Sequence, residues 1–132
     1  MVKNSIISLA LSMFLWYSFA FGVDIRKEKQ DMREYGLAYC LANFHQTEPS
    51  NDIIASLSIY FENMVAGYDD YNKLIEYIKQ YMGNHPAYVK PSEDNPRPNE
   101  PVYFYSCLKM YDSKEYQDEV ERIVKKYCKD CK

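Results

Sequence analysis

Residues 69–83 read DDYNKLIEYIKQYMG, and their spacing of apolar side chains decides the fold. Those side chains recur at three- and four-residue intervals, the pattern of one face of an α-helix: Tyr71, Leu74, Ile75, Ile78, Tyr81 and Met82. Asp69 and Asp70 place negative charge at the start, where the helix dipole favours it. Gly83 is expected to end the segment. We therefore predict an amphipathic helix here.

Two further helices are predicted upstream of this one. The first covers residues 24–45, with an apolar face of Leu37, Cys40, Leu41 and Phe44. Pro49 breaks it, and Ser50 or Asn51 is suited to cap the next helix because its side-chain oxygen accepts a free backbone N–H. We expect Gly67 to end that second helix in a left-handed conformation. Its apolar stripe comprises Ile53, Leu57, Tyr60, Phe61 and Met64.

Two more helices are predicted downstream, over residues 102–112 and 113–127. Asp112 and Glu115 have the spacing of a capping box between them. The predicted apolar faces are Phe104, Cys107, Leu108 and Tyr111 in one helix, and Tyr116, Val120, Ile123, Val124 and Tyr127 in the other. Glycine occurs only 4 times in 132 residues, too rarely for the many tight turns of an all-β fold. The predicted fold is all-α, a compact antiparallel bundle of about five helices.

Residues 1–22 have the layout of a secretory signal peptide. A basic residue precedes an uncharged, largely apolar run over residues 6–21, and small residues suit cleavage after Ala20 or Gly22. A retained membrane anchor is the alternative, but the run is shorter than the roughly 20 residues of a spanning helix. We therefore predict export, with residues 23–132 forming a single helical domain and no membrane attachment after cleavage.

The charge of the chain restricts its partners. The formal net charge is −3, and removal of Lys3 with the signal peptide makes it −4. A mildly acidic protein is not attracted to nucleic-acid phosphates or anionic lipid surfaces, whereas a basic partner is weakly steered toward it. The 14 tyrosines combine an apolar ring with a polar hydroxyl, a combination that suits core packing and also protein interfaces. We expect neither nucleic acid nor membrane as a partner.

Four cysteines in an exported protein indicate disulfides, and four allow three pairings. Cys40 and Cys107 lie on apolar helix faces, while Cys128 and Cys131 lie three residues apart near the end. The favoured pairing is Cys40 with Cys107 and Cys128 with Cys131. The rival interpretation of the second pair is a thioredoxin-like redox site. Such sites sit at a helix N-terminus after a strand, whereas this pair follows a helix.

No pattern in the sequence predicts catalysis or a bound metal or cofactor. The two histidines, His45 and His85, are far apart, and neither a metalloprotease motif nor a nucleophile elbow is present. Four carboxylates are conceivable acid–base pairs, but they match the solvated face of amphipathic helices: Glu62, Asp69, Asp70 and Glu76. We predict a protein that is not an enzyme.

Two segments carry a resemblance to a known family. Residues 35–40 read YGLAYC and residues 106–116 read SCLKMYDSKEY. Together they resemble the immunity proteins of type VI secretion amidase effectors, small periplasmic helical proteins of Gram-negative bacteria. The resemblance implies a cognate papain-like peptidoglycan amidase as partner, inhibited by occlusion of its Cys-His cleft. It also implies a homodimer in which a loop of one subunit enters that cleft, and periplasmic localisation.

Residues 83–101 are our candidate for this inhibitory loop. They read GNHPAYVKPSEDNPRPNEP, and five of the 19 are proline. Such a stretch cannot form a helix or a central strand, and loops of this length are disproportionately functional. The prolines also reduce the entropy that is lost on docking. The predicted contact residues are His85, Tyr88, Lys90, Ser92, Glu93, Asp94, Asn95, Arg97 and Asn99.

Two other functions are compatible with the same residues. One is a general periplasmic adaptor that recognises another protein through its tyrosine-rich surface. The other is a small disulfide oxidoreductase that uses Cys128 and Cys131. Reactive thiols in the native protein would favour the oxidoreductase, because a structural disulfide is inert.

Overall fold

Five α-helices follow one another along the part of the chain that the structure describes, and no named strand occurs in that part. The structure is a computed structural model, and it describes residues 22–45, 47–65, 67–90, 99–129 and 131–132. The helices are α1 (Ile25–Asn43), α2 (Asn51–Asn63), α3 (Tyr68–Asn84), α4 (Tyr103–Asp112) and α5 (Lys114–Tyr127). The predicted all-α class with five helices is confirmed. None of the described helices is long and apolar enough to span a membrane.

Helix α1 is the centre of the fold, because it packs against each of the other four helices. Helices α3, α4 and α5 also pack against one another. Helix α2 lies along α1 and touches α3 through the rings of Phe61 and Tyr71, 4.7 Å apart. The apolar side chains of the core that are fully or almost fully buried are Met32, Cys40, Leu74, Ile78, Cys107, Met110, Tyr116, Val120, Ile123 and Val124. Burying each large one contributes roughly 1.5–3 kcal/mol.

The end of α2 differs from the prediction. Ser50 caps its start as expected, accepting from the Ile53 N–H, but the helix ends at Asn63 rather than at Gly67. The reason is long-range: the buried carboxylate of Glu28 on α1 accepts the Val65 N–H at 3.0 and 3.1 Å. Gly67 instead precedes α3 with a φ of −81°, so the prediction of a left-handed cap there was wrong.

Other helix boundaries differ from the predicted ones by one or two residues, as at the end of α1, which is Asn43 rather than residue 45. Helix α3 continues through Gly83 to Asn84. Helix α5 is capped by Ser113, whose hydroxyl accepts the Tyr116 N–H at 3.2 Å and donates to the Met110 carbonyl at 2.7 Å. The N-cap is therefore Ser113 and not Asp112, and the predicted capping box between Asp112 and Glu115 was wrong. The serine hydroxyl serves the end of α4 and the start of α5 at once, which lets the two helices follow each other directly.

Two disulfides fasten the bundle, with the pairing that the sequence favours. Cys40 and Cys107 join α1 to α4 in the core. Cys128 and Cys131 close the end of α5. Beyond it, the Lys132 N–H donates to the Val23 carbonyl at 2.9 Å, and the Ile25 N–H donates to the Lys132 carbonyl at 3.1 Å. The segment before α1 is thereby tied to the segment after α5.

Candidate partner-binding site

The connection between α3 and α4 begins and ends in a short β-like stem. The Val89 N–H donates to the Glu100 carbonyl at 2.9 Å, and the Asn99 N–H donates to the Val89 carbonyl at 3.2 Å. Closer to the helices, the Val102 N–H donates to the Ala87 carbonyl at 2.9 Å. These bonds hold residues 87–89, the first arm, beside residues 99–102, the second arm.

Of the nine predicted contact residues, the structure describes four. His85, Tyr88, Lys90 and Asn99 are all exposed. Asn99 has a φ of 66°, and it is the only residue other than glycine with a positive φ in the described part of the chain. Asparagine tolerates this left-handed conformation better than most residues do. The remaining five lie outside the described residues: Ser92, Glu93, Asp94, Asn95 and Arg97.

His85 attaches the first arm of the stem to α3. Its ring stacks on Tyr81 with centroids 4.2 Å apart, and its Nδ1 lies 3.1 Å from the Tyr81 carbonyl oxygen. Its backbone N–H donates to the same carbonyl at 2.9 Å. The histidine therefore closes the last turn of α3 and sets the direction in which the chain leaves it.

A cavity of about 390 Å³ lies at this end of α3, and we call it the loop-foot cavity. Its lining comes from two helices and the first loop residue: Tyr77, Gln80, Tyr81, Asn84, His85 and Glu115. Burial raises the pKa of Tyr77, and the nearby Tyr81, Glu115 and Glu119 raise it further. The four-residue spacing of Tyr77, Tyr81 and His85 is visible in the sequence. The approach of Glu115 was missed because it depends on the packing of α5 against α3.

The exposed face of α4 lies beside the stem and carries three large apolar side chains next to Lys109, whose ammonium lies over the Tyr105 ring. We call Phe104, Tyr105 and Leu108 the α4 patch; Phe104 is 64% exposed. The predicted inward face of this helix was therefore wrong for Phe104 and Leu108. Cys107 does face the core, as predicted, but its buried neighbours are Ser106 and Met110, so the helix is rotated about its axis relative to the prediction. Phe104 also lines a cavity of about 420 Å³ between the α1–α2 turn and the start of α4.

Helix α2 carries a second group of exposed apolar side chains. Ile54 and Phe61, seven residues apart, share one side of the helix, and we call them the α2 patch. Ile59 is also exposed but lies about 140° away around the helix axis. Phe61 was expected to face inward and is 52% exposed, although one side of its ring packs on Tyr71.

The carboxylates considered for acid–base chemistry are dispersed. Asp70 was expected on a solvated face and is instead buried, accepting the Gly67 N–H at 2.8 Å at the start of α3. Burial raises the pKa of Asp70. Glu76 pairs with Lys73 at 3.0 Å, and Glu62 is exposed on α2. Among the residues that the structure describes, no three His, Cys, Asp or Glu side chains are arranged to hold a metal ion.

The second disulfide is placed where a redox pair is not expected. Cys128 caps the C-terminus of α5, and Lys125 and Lys126 occupy the last turn. The negative end of a helix dipole disfavours a thiolate, whereas redox-active pairs use the positive end to lower the thiol pKa. This placement favours a structural role for Cys128 and Cys131.

Comparison with known proteins gives one match. The family model Tai4, described as type VI secretion system (T6SS), amidase immunity protein, matches residues 30–124. The match extends from the first turns of α1 to near the end of α5, and it includes both segments that carry the resemblance, residues 35–40 and 106–116. No curated protein and no solved structure matches the chain.

Proposed function

The chain belongs to the Tai4 family of type VI secretion system amidase immunity proteins, and we propose that residues 85–101 inhibit the cognate amidase by occupying its active-site cleft. The enzyme is a papain-like peptidoglycan amidase in this proposal, and the loop covers its Cys-His pair. The observation that carries the proposal is the hydrogen-bonded stem between Val89 and Asn99. A stem of this kind presents a loop from a fixed base.

The stem supports inhibition by reducing the entropy that docking must overcome. Closing a loop before binding removes conformations that a free segment would lose on binding. The prolines of residues 91–98 restrict the backbone further. Tyr88 and Lys90 are exposed next to the stem and offer a ring and a cation to the enzyme surface. Glu93, Asp94 and Asn95 supply hydrogen-bond acceptors by their chemistry.

The α4 patch extends the proposed contact beyond the loop. Tyr88 on the first arm and Phe104 just after the second arm are both exposed. A β-bridge pairs Tyr88 with Pro101, which precedes Phe104 by three residues. Groups of exposed apolar side chains are typical of protein interaction sites. We expect the amidase to cover the α4 patch when the loop is in place.

We further propose that the protein acts in the periplasm as a homodimer. The two disulfides suit an oxidising compartment, and residues 1–21, which contain most of the predicted signal peptide, lie outside the described residues. The α2 patch supports the dimer, because its two large apolar side chains, Ile54 and Phe61, are exposed on the side of the fold formed by α2. A second copy is the occupant that we assign to it.

The deciding experiment measures peptidoglycan hydrolysis by the cognate amidase, with increasing amounts of residues 23–132. We expect inhibition at a stoichiometric ratio. Replacing residues 91–98 with a Gly/Ser segment of equal length should weaken inhibition at least tenfold, because the contacts and the preorganisation are both lost. Unchanged inhibition by that variant would move the interface to the helices, and the absence of any binding would overturn the assignment to this amidase.

A further inference from the structure

The loop-foot cavity is lined by groups that attract a positive charge. Its lining residues include the acidic Glu115, the amides Gln80 and Asn84 and the aromatic Tyr77 and Tyr81, together with His85. Among the residues that the structure describes, no lysine or arginine lines it. Aromatic ring faces and carboxylates are the two features that bind ammonium and guanidinium groups most often in proteins.

Glu115 differs from the other acidic side chains of α5 in having no ion pair among the described residues. Asp118 pairs with Lys114, Glu119 pairs with Arg122 at 2.6 Å, and Glu121 pairs with Lys125 at 2.7 Å. Within the described part of the chain, each neighbouring carboxylate is thus neutralised by a basic side chain, whereas Glu115 is not. An available carboxylate against aromatic rings is suited to a cation that comes from outside the molecule.

We propose that the loop-foot cavity binds an arginine or lysine side chain of the cognate amidase, with Glu115 as its counter-ion. The identity of the partner rests on the function proposed above. The cavity, at about 390 Å³, is near the lower end of the roughly 300–1,000 Å³ range of ligand pockets, so it accommodates a long side chain and not a helix. His85, where the proposed inhibitory loop begins, is part of the cavity lining. The edge of an amidase cleft that is occupied by this loop would therefore lie beside the cavity.

The charge of the whole chain supports the same direction. The formal net charge is −3 for the full chain and becomes −4 when Lys3 is removed with the signal peptide. The protein therefore attracts a basic surface at long range. The cavity would then be the specific binding site for one cation of that basic surface. Hydrogen bonds between a guanidinium and a carboxylate are stronger than neutral ones and depend on both charges.

The test compares Glu115→Gln with Asp118→Asn in titrations of the amidase at low and high salt. Both changes remove one negative charge from α5, but Asp118 is exposed, pairs with Lys114 and does not line the cavity. We expect Glu115→Gln to raise Kd about tenfold and to reduce its salt dependence, while Asp118→Asn stays within about twofold of the unmodified protein. Equal Kd values for Glu115→Gln and Asp118→Asn would overturn the proposal.

A second readout separates this proposal from the function on which it rests. If the unmodified protein does not bind the amidase, the proposed function fails, and N-acetyl-arginine amide then serves as the probe. Its addition should shift the backbone NMR signals of Asn84, His85 and Glu115, and the shifts should disappear in Glu115→Gln. Absence of shifts in the unmodified protein would overturn the cation site itself.

Discussion

Gly36 and Tyr116 are in such close contact that a Cβ at position 36 would lie 2.0 Å from the tyrosine hydroxyl oxygen. That hydroxyl donates to the Arg33 carbonyl at 2.8 Å, and the tyrosine is completely buried between α1 and α5. Burial raises the pKa of Tyr116, so the hydroxyl stays protonated and remains a donor. The two segments that carry the family resemblance therefore meet at this contact, which links them through packing.

Replacing Gly36 with alanine should destabilise the protein by about 1–3 kcal/mol, the usual cost of overpacking a core. In an exposed helix the same change would stabilise by roughly 0.5–1 kcal/mol, so the sign itself is informative. Gly83 in α3 is the matched control, because a Cβ there meets nothing within 4 Å. Urea unfolding should show a loss for Gly36→Ala and a small gain for Gly83→Ala. Equal effects at both positions would contradict the contact.

The two disulfides should contribute unequally to stability. The Cys40–Cys107 bond closes a separation of 67 residues, which the chain-entropy model values at about 4 kcal/mol. The Cys128–Cys131 bond closes a separation of 3 residues, and the same model gives about 2 kcal/mol. Replacing each pair with alanines and comparing urea midpoints tests this order. A larger loss for the Cys128–Cys131 variant would show that tying the chain ends near Val23 matters more than joining α1 to α4.

Glu121 should make part of the stability depend on acid pH. Lys125 and Lys29 lower the pKa of Glu121 from 4.5 to about 2. Because the folded-state pKa is depressed, the contribution is present above pH 4.5 and is lost as pH falls from there toward 2. Glu121→Gln should therefore be less stable than the unmodified protein at pH 6 and approach it at pH 2. The difference should shrink in high salt, because the Lys125–Glu121 pair is exposed to solvent. A difference that stays constant between these pH values would contradict this origin.

The local sequence pattern is sufficient to predict the helices. The features that it did not predict depend on contacts between residues that are far apart in the sequence. The periodicity over residues 69–83 was sufficient for α3, because apolar spacing and an acidic start act within one helix. The end of α2 was wrong because Glu28, 37 residues away, takes the Val65 N–H. The face of α4 was wrong because Ser106 and Met110, and not Phe104 and Leu108, are buried together with Cys107 against the other helices. Glu115 was missed for the same reason: its neighbours in the loop-foot cavity belong to another helix.

Disruption of the proposed dimer should depend on which side of α2 is changed. Ile54→Asp places a charge in the α2 patch, whereas Ile59→Asp places the same charge on a different side of the same helix. The two side chains are 47% and 57% exposed, so neither change should unfold the protein. Sedimentation velocity should show a shift toward monomer for Ile54→Asp only. A monomeric unmodified protein, or equal effects of both changes, would contradict the assignment of a second copy to this patch.

The conformation of Asn99 should control inhibition through the stem. Asn99 has a φ of 66°, which glycine adopts freely and valine adopts only with strain. Asn99→Gly keeps that geometry and the bond from its N–H to the Val89 carbonyl, so inhibition of the amidase should stay within about twofold. Asn99→Val disfavours the geometry and releases the second arm, and inhibition should weaken about tenfold. Both variants lose the asparagine side chain, so a direct contact by that amide would weaken both equally. Only a difference between the two variants assigns the effect to the backbone of the stem.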